Sequence, residues 1–217
     1  MRIVSEKAQQ EAAEKLVSSL NKIDGVESSV DIRTSGTQNR PIVNATVSPD
    51  NWRKVAENLK EKHSVDHCSM ITGIHWPESE DKKWEVVYHF LRTGIKDPVI
   101  EDGLVIPNIV DFTKVKGKNV PLEIQISIKI GETRTPSVPS VQDLWVGADW
   151  NEKETWDLVG IEFEGHEKMM RVLNPHDSPP GFHPLQKPHK IRYHDHNEMY
   201  DDAQGFMRKP LDSDKKK

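Results

Sequence analysis

The acidic side chains between Glu152 and His166 are the residues whose types and spacing could do chemistry. The segment reads EKETWDLVGIEFEGH, and Glu154 and Asp157 stand three residues apart in it. On a helix this spacing brings two carboxylates to one face, where they could serve as a general acid and a general base. The chain supplies no nucleophile motif, phosphate-binding glycine loop or cofactor fingerprint to accompany them. A charged structural helix is therefore favoured over a catalytic pair.

The helix that carries these carboxylates has sequence signals at both ends. Asp149 and Glu152 have the spacing of a capping box, with Asp149 as the cap. Lys153 and Asp157 lie one turn apart, and Gly160 is a residue type at which such a helix ends. These signals predict a short capped helix with a solvated charged face.

Histidines form a second group of interest, since six of the ten fall between His166 and His196. His166 and Glu167 begin a zinc-protease signature, but Met170 occupies the place of its second histidine. His194 and His196 would share one side of an extended segment. Zinc usually takes three or four ligands with supporting contacts, so polar contacts in a tail are favoured over a metal site. An independent metal-dependent enzyme built on this segment stays open as the alternative.

Composition narrows the class of protein. The chain has 217 residues and a net charge of -5, which argues against a dedicated nucleic-acid binder. Its one cysteine, Cys68, excludes an internal disulfide and a cysteine-ligated cluster made by this chain alone. The first residues lack the apolar core of a signal peptide. The sequence also contains no run of about 20 apolar residues, the length that is needed to span a bilayer. We expect a soluble intracellular chain with no transmembrane segment of its own.

The elements that must position these residues follow from the periodicity of apolar side chains. Helical spacing predicts one helix over 8–23 and a second that begins at Ser48-Pro49. Alternation predicts strands at 26–33, 42–47, 68–76, 84–90 and 122–130. Five alternate residues of the third strand are expected to share one face: Cys68, Met70, Thr72, Ile74 and Trp76. This order of elements predicts an α+β fold, a mostly antiparallel sheet covered by helices on one face.

Three parts are predicted along the chain. Residues 1–147 form the α+β domain, which includes a long loop at 94–120. Residues 148–173 form the charged helix and the segment that follows it. Residues 174–217 are rich in proline and histidine and show no apolar periodicity, so they cannot build a core of their own. This last part is predicted to be a long extended tail that wraps a partner subunit.

The stretch from Val141 to Leu173, VQDLWVGADWNEKETWDLVGIEFEGHEKMMRVL, resembles the signature of a known family. It is similar to that of the 30-kDa subunit of respiratory complex I (NADH-quinone oxidoreductase), also called its C-subunit. That family includes the homologous subunit of membrane-bound hydrogenases and related ferredoxin-linked complexes. Its pattern is approximately A-x-W-x-E-R-E-x-x-D-x-x-G-I-x-F-x-G-H-P, ending in R-x-L. The residues that fit it are Ala148, Trp150, Glu152, Glu154, Asp157, Gly160, Ile161, Phe163, Gly165, His166, Arg171 and Leu173.

Two further stretches extend the resemblance, and a few residues depart from it. GFHPLQK at 181–187 is similar to the family's G-x-P-L-R-K segment with one residue inserted, and WEVVYHFLRT at 84–93 resembles its strand ending in Y-H-L. Lys153, Glu167 and Gln186 stand where the family has arginine, proline and arginine. Lysine keeps the charge but lacks the bidentate fork of arginine. With the long 94–120 loop, these departures indicate a divergent archaeal or hydrogenase-type relative.

The resemblance implies a non-catalytic structural subunit in the peripheral arm of a membrane-bound, complex I-like oxidoreductase. Such a subunit docks on the large hydrogenase-like (49-kDa type) subunit, near the small iron–sulfur subunit and the other peripheral-arm and membrane subunits. It lies on the cytoplasmic side of the cell membrane, binds no cofactor, metal or nucleic acid, and supports electron transfer coupled to ion translocation. Iron–sulfur clusters are expected in the partner subunits. The implied interface and signature residues are Trp150, Glu152, Lys153, Glu154, Asp157, Gly160, Phe163, Gly165, His166, Arg171, Pro184, Leu185 and Lys187. A free-standing interaction module without a redox role is a third hypothesis.

Overall fold

A mixed five-stranded sheet forms the centre of the described part of the chain. The computed structural model describes residues 4–36, 38–95, 99–101, 104–106 and 110–187. The strands in chain order are β1 (Val26–Ser35), β2 (Gln38–Val47), β3 (His67–His75), β4 (Trp84–Arg92), β5 (Val99–Glu101), β6 (Leu104–Ile106), β7 (Leu122–Ile130), β8 (Ser137–Pro139) and β9 (Glu162–Glu164). The large sheet has the spatial order β1-β2-β7-β4-β3, and its pairings are antiparallel except for β2 with β7. The predicted α+β fold is confirmed.

The helices α1 (Glu6–Leu20) and α2 (Pro49–Glu57) bury their apolar sides against the sheet, and α3 (Val146–Val159) packs on β3 with Ala148 and Val159 in the core. α2 begins at Pro49, directly after Ser48, as predicted from the preference for proline in the first helical turn. The end of α2 widens into a π-helical turn, Asn58–Lys62, which buries Leu59. The shared core is aromatic at its centre, where the ring of Trp52 lies 4.3 Å from that of Tyr88.

β7 is the central strand of the large sheet, between β2 and β4. Its alternate residues Leu122, Ile124, Ile126, Ile128 and Ile130 are buried, as the period of two predicted. The intervening residues face the other side of the sheet, where Ser127 donates a hydrogen bond to Glu85 of β4. The sheet is therefore apolar toward the helices and polar on its open face.

The predicted face of β3 is wrong beyond its first residue. The pairing of β3 with β4 shifts register between Cys68 and Met70, which is the signature of a β-bulge. One extra residue reverses the parity of the strand, so Ile71 and His75 are buried while Met70 is exposed. The Thr155 hydroxyl donates to the Ile71 carbonyl oxygen at 3.1 Å, and this contact joins α3 to the re-aligned strand.

The long loop at 94–120 contains a small hairpin of β5 with β6 and a 3₁₀ turn at Gly117–Asn119. Residues 96–98, 102–103 and 107–109 of this loop lie outside the described residues. The same holds for residues 188–217, so most of the predicted tail is outside them too. Residues from the 174–187 segment contact α3 of this chain, and the three-part division stays a prediction. No helix in the described ranges is long and apolar enough to cross a membrane.

Candidate functional site

α3 carries most of the signature residues, and it begins earlier than predicted. The first helical residue is Val146, after Trp145, so Asp149 lies within the first turn and does not cap the helix. The capping-box prediction is wrong because the Glu152 side chain turns away to the segment before the helix. Gly160 does end the helix, as predicted: its φ is 86° and its N–H donates to the Trp156 carbonyl oxygen at 2.8 Å.

Glu152 is completely buried and binds the chain that precedes α3. One carboxylate oxygen accepts a hydrogen bond from the Ser140 hydroxyl at 2.6 Å, and the other accepts from the Val141 N–H at 2.8 Å. Burial raises the pKa of Glu152 to about 7, although these two hydrogen bonds oppose the shift. Glu152 therefore joins the entry of α3 to the short strand β8, which ends at Pro139.

Asp149, in the first turn of α3, contacts the side chains of Lys153 and His166. Lys153 Nζ lies 2.8 Å from Asp149 Oδ1, and Lys153 is nearly buried. His166 Nε2 lies 3.2 Å from the same oxygen, and the His166 side chain is buried. Because the Lys168 N–H donates to His166 Nδ1 at 3.1 Å, the neutral ring carries its proton on Nε2, facing Asp149. The GH pair of the signature thus ties the strand after α3 back to the helix.

Asp157 is the most heavily hydrogen-bonded group of the signature. Its side chain is fully buried and forms an ion pair with Arg171, with 2.6 Å between Oδ1 and Nη1. Oδ2 accepts from the backbone N–H groups of Val172, Leu173 and Asn174 at 3.1, 2.9 and 2.8 Å. Burial alone would raise the pKa of Asp157, but the hydrogen bonds from Asn174, Leu173 and Arg171 outweigh it and hold this pKa well below its ordinary value.

The segment after Arg171 supplies partners for the last carbonyl groups of α3. His183 Nδ1 lies 3.0 Å from the Asp157 carbonyl oxygen, the Leu185 N–H donates to Leu158 at 2.9 Å, and Gln186 Nε2 donates to Val159 at 2.8 Å. Helix ends leave such carbonyls without helical partners, so this segment completes the helix. A Cβ atom on Gly160 would stand 2.7 Å from His183 Cδ2, and only glycine leaves room for the segment there.

Arg171 holds the same segment from its other side. Its Nη1 donates to the Phe182 carbonyl oxygen at 2.9 Å, and its Nη2 donates to that of Pro179 at 3.3 Å. Its guanidinium also lies over the Trp156 ring, 5.5 Å from the centroid. The residues from Asp157 to Gln186 therefore form one hydrogen-bonded unit, which we call the C-terminal cap of α3.

The remaining signature residues divide between the interior and the surface. Phe163 is buried on β9, opposite Val138 of β8. Gly165 has a φ of 82° and open space around it, while Pro184 and Glu154 are partly exposed. The backbone N–H of Lys187 donates to His75 Nδ1 at 3.3 Å.

The prediction of a solvated charged face on α3 is wrong. Glu152, Lys153 and Asp157 are turned inward because each meets a partner from another part of the chain or from the preceding turn. The most exposed side chains of the helix are apolar instead: Val146 is 92% exposed and Trp150 56%, while Asp149 and Glu154 are partly exposed. Leu173 and Leu185, both within the cap, are also more than half exposed.

Three residues that complete the site were missed by sequence reasoning: Ser140, Asn174 and His183. Ser140 precedes the helix by too many residues for any capping pattern. Asn174 follows the R-x-L end of the signature directly, and its Nδ2 donates to Asp157 Oδ1 at 2.9 Å. His183 lies in the segment that resembles G-x-P-L-R-K with one residue inserted, and that irregularity was the available signal.

The described ranges contain no group of three or more histidine, cysteine or acidic side chains that could hold a metal ion. His194 and His196, which the sequence placed together, lie outside those ranges. The carboxylates Glu152 and Asp157 already accept hydrogen bonds from fixed donors. Their arrangement is suited to positioning a helix and offers no free base beside a nucleophile.

Comparison with known proteins agrees with the signature. A family model described as respiratory-chain NADH dehydrogenase, 30 Kd subunit, matches residues 45–195. The NADH-quinone oxidoreductase C-subunit of Moorella thermoacetica is 30% identical over 147 residues, which are 67% of this chain and 78% of that protein. The C-subunit of Agrobacterium fabrum is 32% identical over 119 residues, 54% of this chain but 44% of the relative's own length.

A solved structure has a similar fold. It is the membrane-bound sulfane sulfur reductase, an archaeal respiratory membrane complex. One chain of that complex aligns with this chain at a TM-score of 0.58 and 21% sequence identity. The alignment covers 96% of this chain and 97% of the chain in the complex. Because the family model covers well over half of the 217 residues and includes every signature position, the assignment does not depend on this fold alone. This chain belongs to the family of the 30-kDa subunit of respiratory-chain NADH dehydrogenase.

Proposed function

We propose that this chain is a non-catalytic structural subunit in the peripheral arm of a membrane-bound, complex I-like oxidoreductase. It docks on the large hydrogenase-like subunit, on the cytoplasmic side of the membrane, and supports electron transfer coupled to ion translocation. The chain itself ligates no cofactor, and the iron–sulfur clusters reside in the partner subunits. Family membership supports a place in a multisubunit respiratory complex, and the geometry of α3 supports the docking role.

The observation that carries the docking role is the inversion of polarity on α3. Glu152, Lys153 and Asp157 are buried and paired within the chain, whereas Val146 and Trp150, one helical turn apart, are exposed on its surface. Burying a large aromatic and a neighbouring aliphatic side chain is typical of the centre of a protein–protein interface. The contact with the large subunit is therefore led by these two side chains, and the buried charges hold the helix that presents them.

The proposal is tested by recovery of the complex from cells that carry a tagged version of this chain. Val146→Ala with Trp150→Ala removes the exposed apolar pair of α3. The matched control is Ile32→Ala with Trp76→Ala, an exposed aliphatic and an exposed tryptophan on other parts of the chain. The α3 pair is expected to lose most of the co-purifying iron–sulfur and membrane subunits without a change in the melting temperature of the free chain. Unchanged recovery with the α3 pair, or equal loss with the control pair, contradicts docking through α3.

A photo-crosslinking amino acid at position 150 identifies the partner directly. Mass spectrometry of the isolated complex is expected to find the crosslink on the large hydrogenase-like subunit. A crosslink that falls only on the small iron–sulfur subunit or on a membrane subunit would assign this surface to another partner and contradict that part of the proposal.

A further inference from the structure

A basic pocket lies between α1, the segment that leads from α2 to β3, and the end of the 94–120 loop. It encloses about 710 Å³, a volume within the usual range of small-molecule sites. Six lysines and Arg92 line it, against the single acidic residue Glu11. Neither the signature helix nor its cap contributes a residue, so the pocket is separate from the proposed docking surface.

Arg92 makes this pocket more than a group of surface lysines. The residue is 3% exposed, and its Nε donates to the Val120 carbonyl oxygen at 2.7 Å. Its Nη1 donates to the His63 carbonyl oxygen at 3.4 Å, while its buried Nη2 has no hydrogen-bond partner among the described residues. A buried donor without a partner carries a desolvation penalty that a bound acceptor removes. Burial also lowers the pKa of Arg92 to about 10, against the opposing charge of Asp66.

Three positive charges converge around His63 at this wall of the pocket. Burial is the largest cause that lowers the pKa of His63, and the nearby charges of Arg92, Lys118 and Lys62 lower this pKa further. His63 Nε2 is 2.9 Å from the Ser19 hydroxyl, which fixes the ring at the edge of the pocket. The backbone around Lys118 is a 3₁₀ turn that starts at Gly117 with a φ of 62°, so the turn brings its lysine to the same place.

Part of the lining is apolar. Ala8 and Leu16 of α1 contribute to it, together with Phe112 and Val115 of the 94–120 loop. We infer that the pocket binds an organic di- or triphosphate, with the phosphates at Arg92, Lys62 and Lys118 and the organic part against this apolar wall. A single carboxylate would leave most of the cationic charge uncompensated, whereas adjacent phosphates match several cations at once. The phosphate-bearing group is either a soluble metabolite or the headgroup of an anionic lipid.

Calorimetric titration of the full chain at low ionic strength tests the site with two probes, inorganic pyrophosphate and adenosine triphosphate. One saturable site per chain is expected for both. Lys62→Ala with Lys118→Ala is expected to weaken binding by about tenfold or more, because two phosphate contacts are lost. The control pair, Lys54→Ala with Lys129→Ala, removes the same charge from exposed positions outside the pocket and is expected to change the affinity by less than about twofold.

Vesicles distinguish the two sources of phosphate. Co-sedimentation with vesicles that contain cardiolipin, whose headgroup carries two phosphates, assigns the site to a lipid headgroup if the soluble probes do not bind. The Lys62/Lys118 variant must then lose the vesicle binding and the Lys54/Lys129 variant must keep it. Equal loss in both variants, tight binding of a poly-glutamate peptide in place of the phosphates, or no saturable binding of any phosphate probe overturns the inference.

The pKa of His63 reports directly on an anion bound beside its ring, which a measurement of stability does not. Because a bound polyphosphate supplies negative charge beside the ring, pyrophosphate is expected to raise the His63 pKa measured by NMR titration. The Lys54/Lys129 variant should show the same rise and the Lys62/Lys118 variant a much smaller one. An unchanged His63 pKa at saturating pyrophosphate places the anion elsewhere and overturns the assignment.

Discussion

At the scale of single residues, the signature is explained by hydrogen-bond satisfaction. Asp157 accepts hydrogen bonds from one guanidinium, three backbone N–H groups and the Asn174 amide. These donors come from residues 14 to 17 positions away along the chain, which is why a helix-periodicity argument assigned Asp157 to the solvated face. A carboxylate with so many fixed donors is a structural group.

Asp157→Asn is expected to destabilise the chain by roughly 3–5 kcal/mol, because it leaves the charge of Arg171 in a buried site without its partner. Thermal and urea unfolding measure the effect. Glu154→Gln on the same helix is the control, since the Glu154 side chain is partly exposed and makes no hydrogen bond or ion pair with the described residues. Equal stability of the Asp157 variant and the control would contradict the structural role.

Glu152 predicts a pH dependence of the opposite sign to that of an ordinary ion-paired acid. Its pKa is about 7 in the folded chain, above the ordinary glutamate value of 4.5. Between these two values the unfolded chain releases a proton that the folded chain keeps, so the free energy of unfolding falls as pH rises. The fall is at most about 1.4 kcal/mol per pH unit and levels off above about pH 7.

Glu152→Gln is expected to remove this slope, whereas the loss of stability due to Asp157 appears only at lower pH, where pH falls below the ordinary aspartate value of 3.8 toward the depressed pKa of this group. Urea unfolding from about pH 4.5 to about pH 8 compares the two chains. The same slope in the variant would mean that Glu152 is already ionised in the fold.

At the scale of elements, periodicity predicted the features that are set within one helix or strand and missed those that depend on contacts between elements. The isoleucines of β7 and the apolar side of α2 were predicted because each pattern is set by residues within one strand or helix. The bulge in β3 was missed because it arises from pairing with β4 and leaves no mark on composition. The interior of α3 was missed because Ser140, Arg171 and Asn174 reach it from outside the helix.

The C-terminal cap of α3 allows a matched pair of glycine substitutions. Gly160 and Gly165 have similar φ angles, 86° and 82°, so alanine meets the same backbone strain of about 1 kcal/mol at each. At Gly160 the new Cβ also collides with His183, whereas at Gly165 it meets open space. Gly160→Ala is therefore expected to lower the melting temperature clearly more than Gly165→Ala, as measured by differential scanning calorimetry. Equal effects would show that the cap contributes little.

At the scale of the whole molecule, residues 174–187 belong with the helix that they cap. The sequence assigned them to a tail because they lack apolar periodicity, yet a segment can be held by hydrogen bonds to carbonyl groups without any such period. Family resemblance supplied the remainder of the functional prediction. It identified the signature correctly but did not reveal which of its residues face inward.

Truncation tests whether residues 175–187 of the predicted tail stabilise the chain. A chain that ends at Asn174 loses the hydrogen bonds of His183, Leu185 and Gln186 to α3, and with them the carbonyl partners of Arg171 at Pro179 and Phe182. At about 0.5–1.5 kcal/mol for each hydrogen bond, it is expected to be several kcal/mol less stable than a chain that ends at Lys187. Equal urea midpoints for the two truncated chains would contradict the cap.

The position of β7 has a consequence for biosynthesis. β7 is the last strand of the large sheet in the chain, yet it lies in the middle and separates the hairpin of β1 and β2 from that of β3 and β4. During translation the residues up to Arg92 can form the two hairpins, but β2 and β4 each present an open edge until residues 122–130 leave the ribosome. Such edges pair readily with other chains, so a nascent chain that has emerged from the ribosome only as far as the 94–120 loop is the species most exposed to misassembly and most in need of a chaperone.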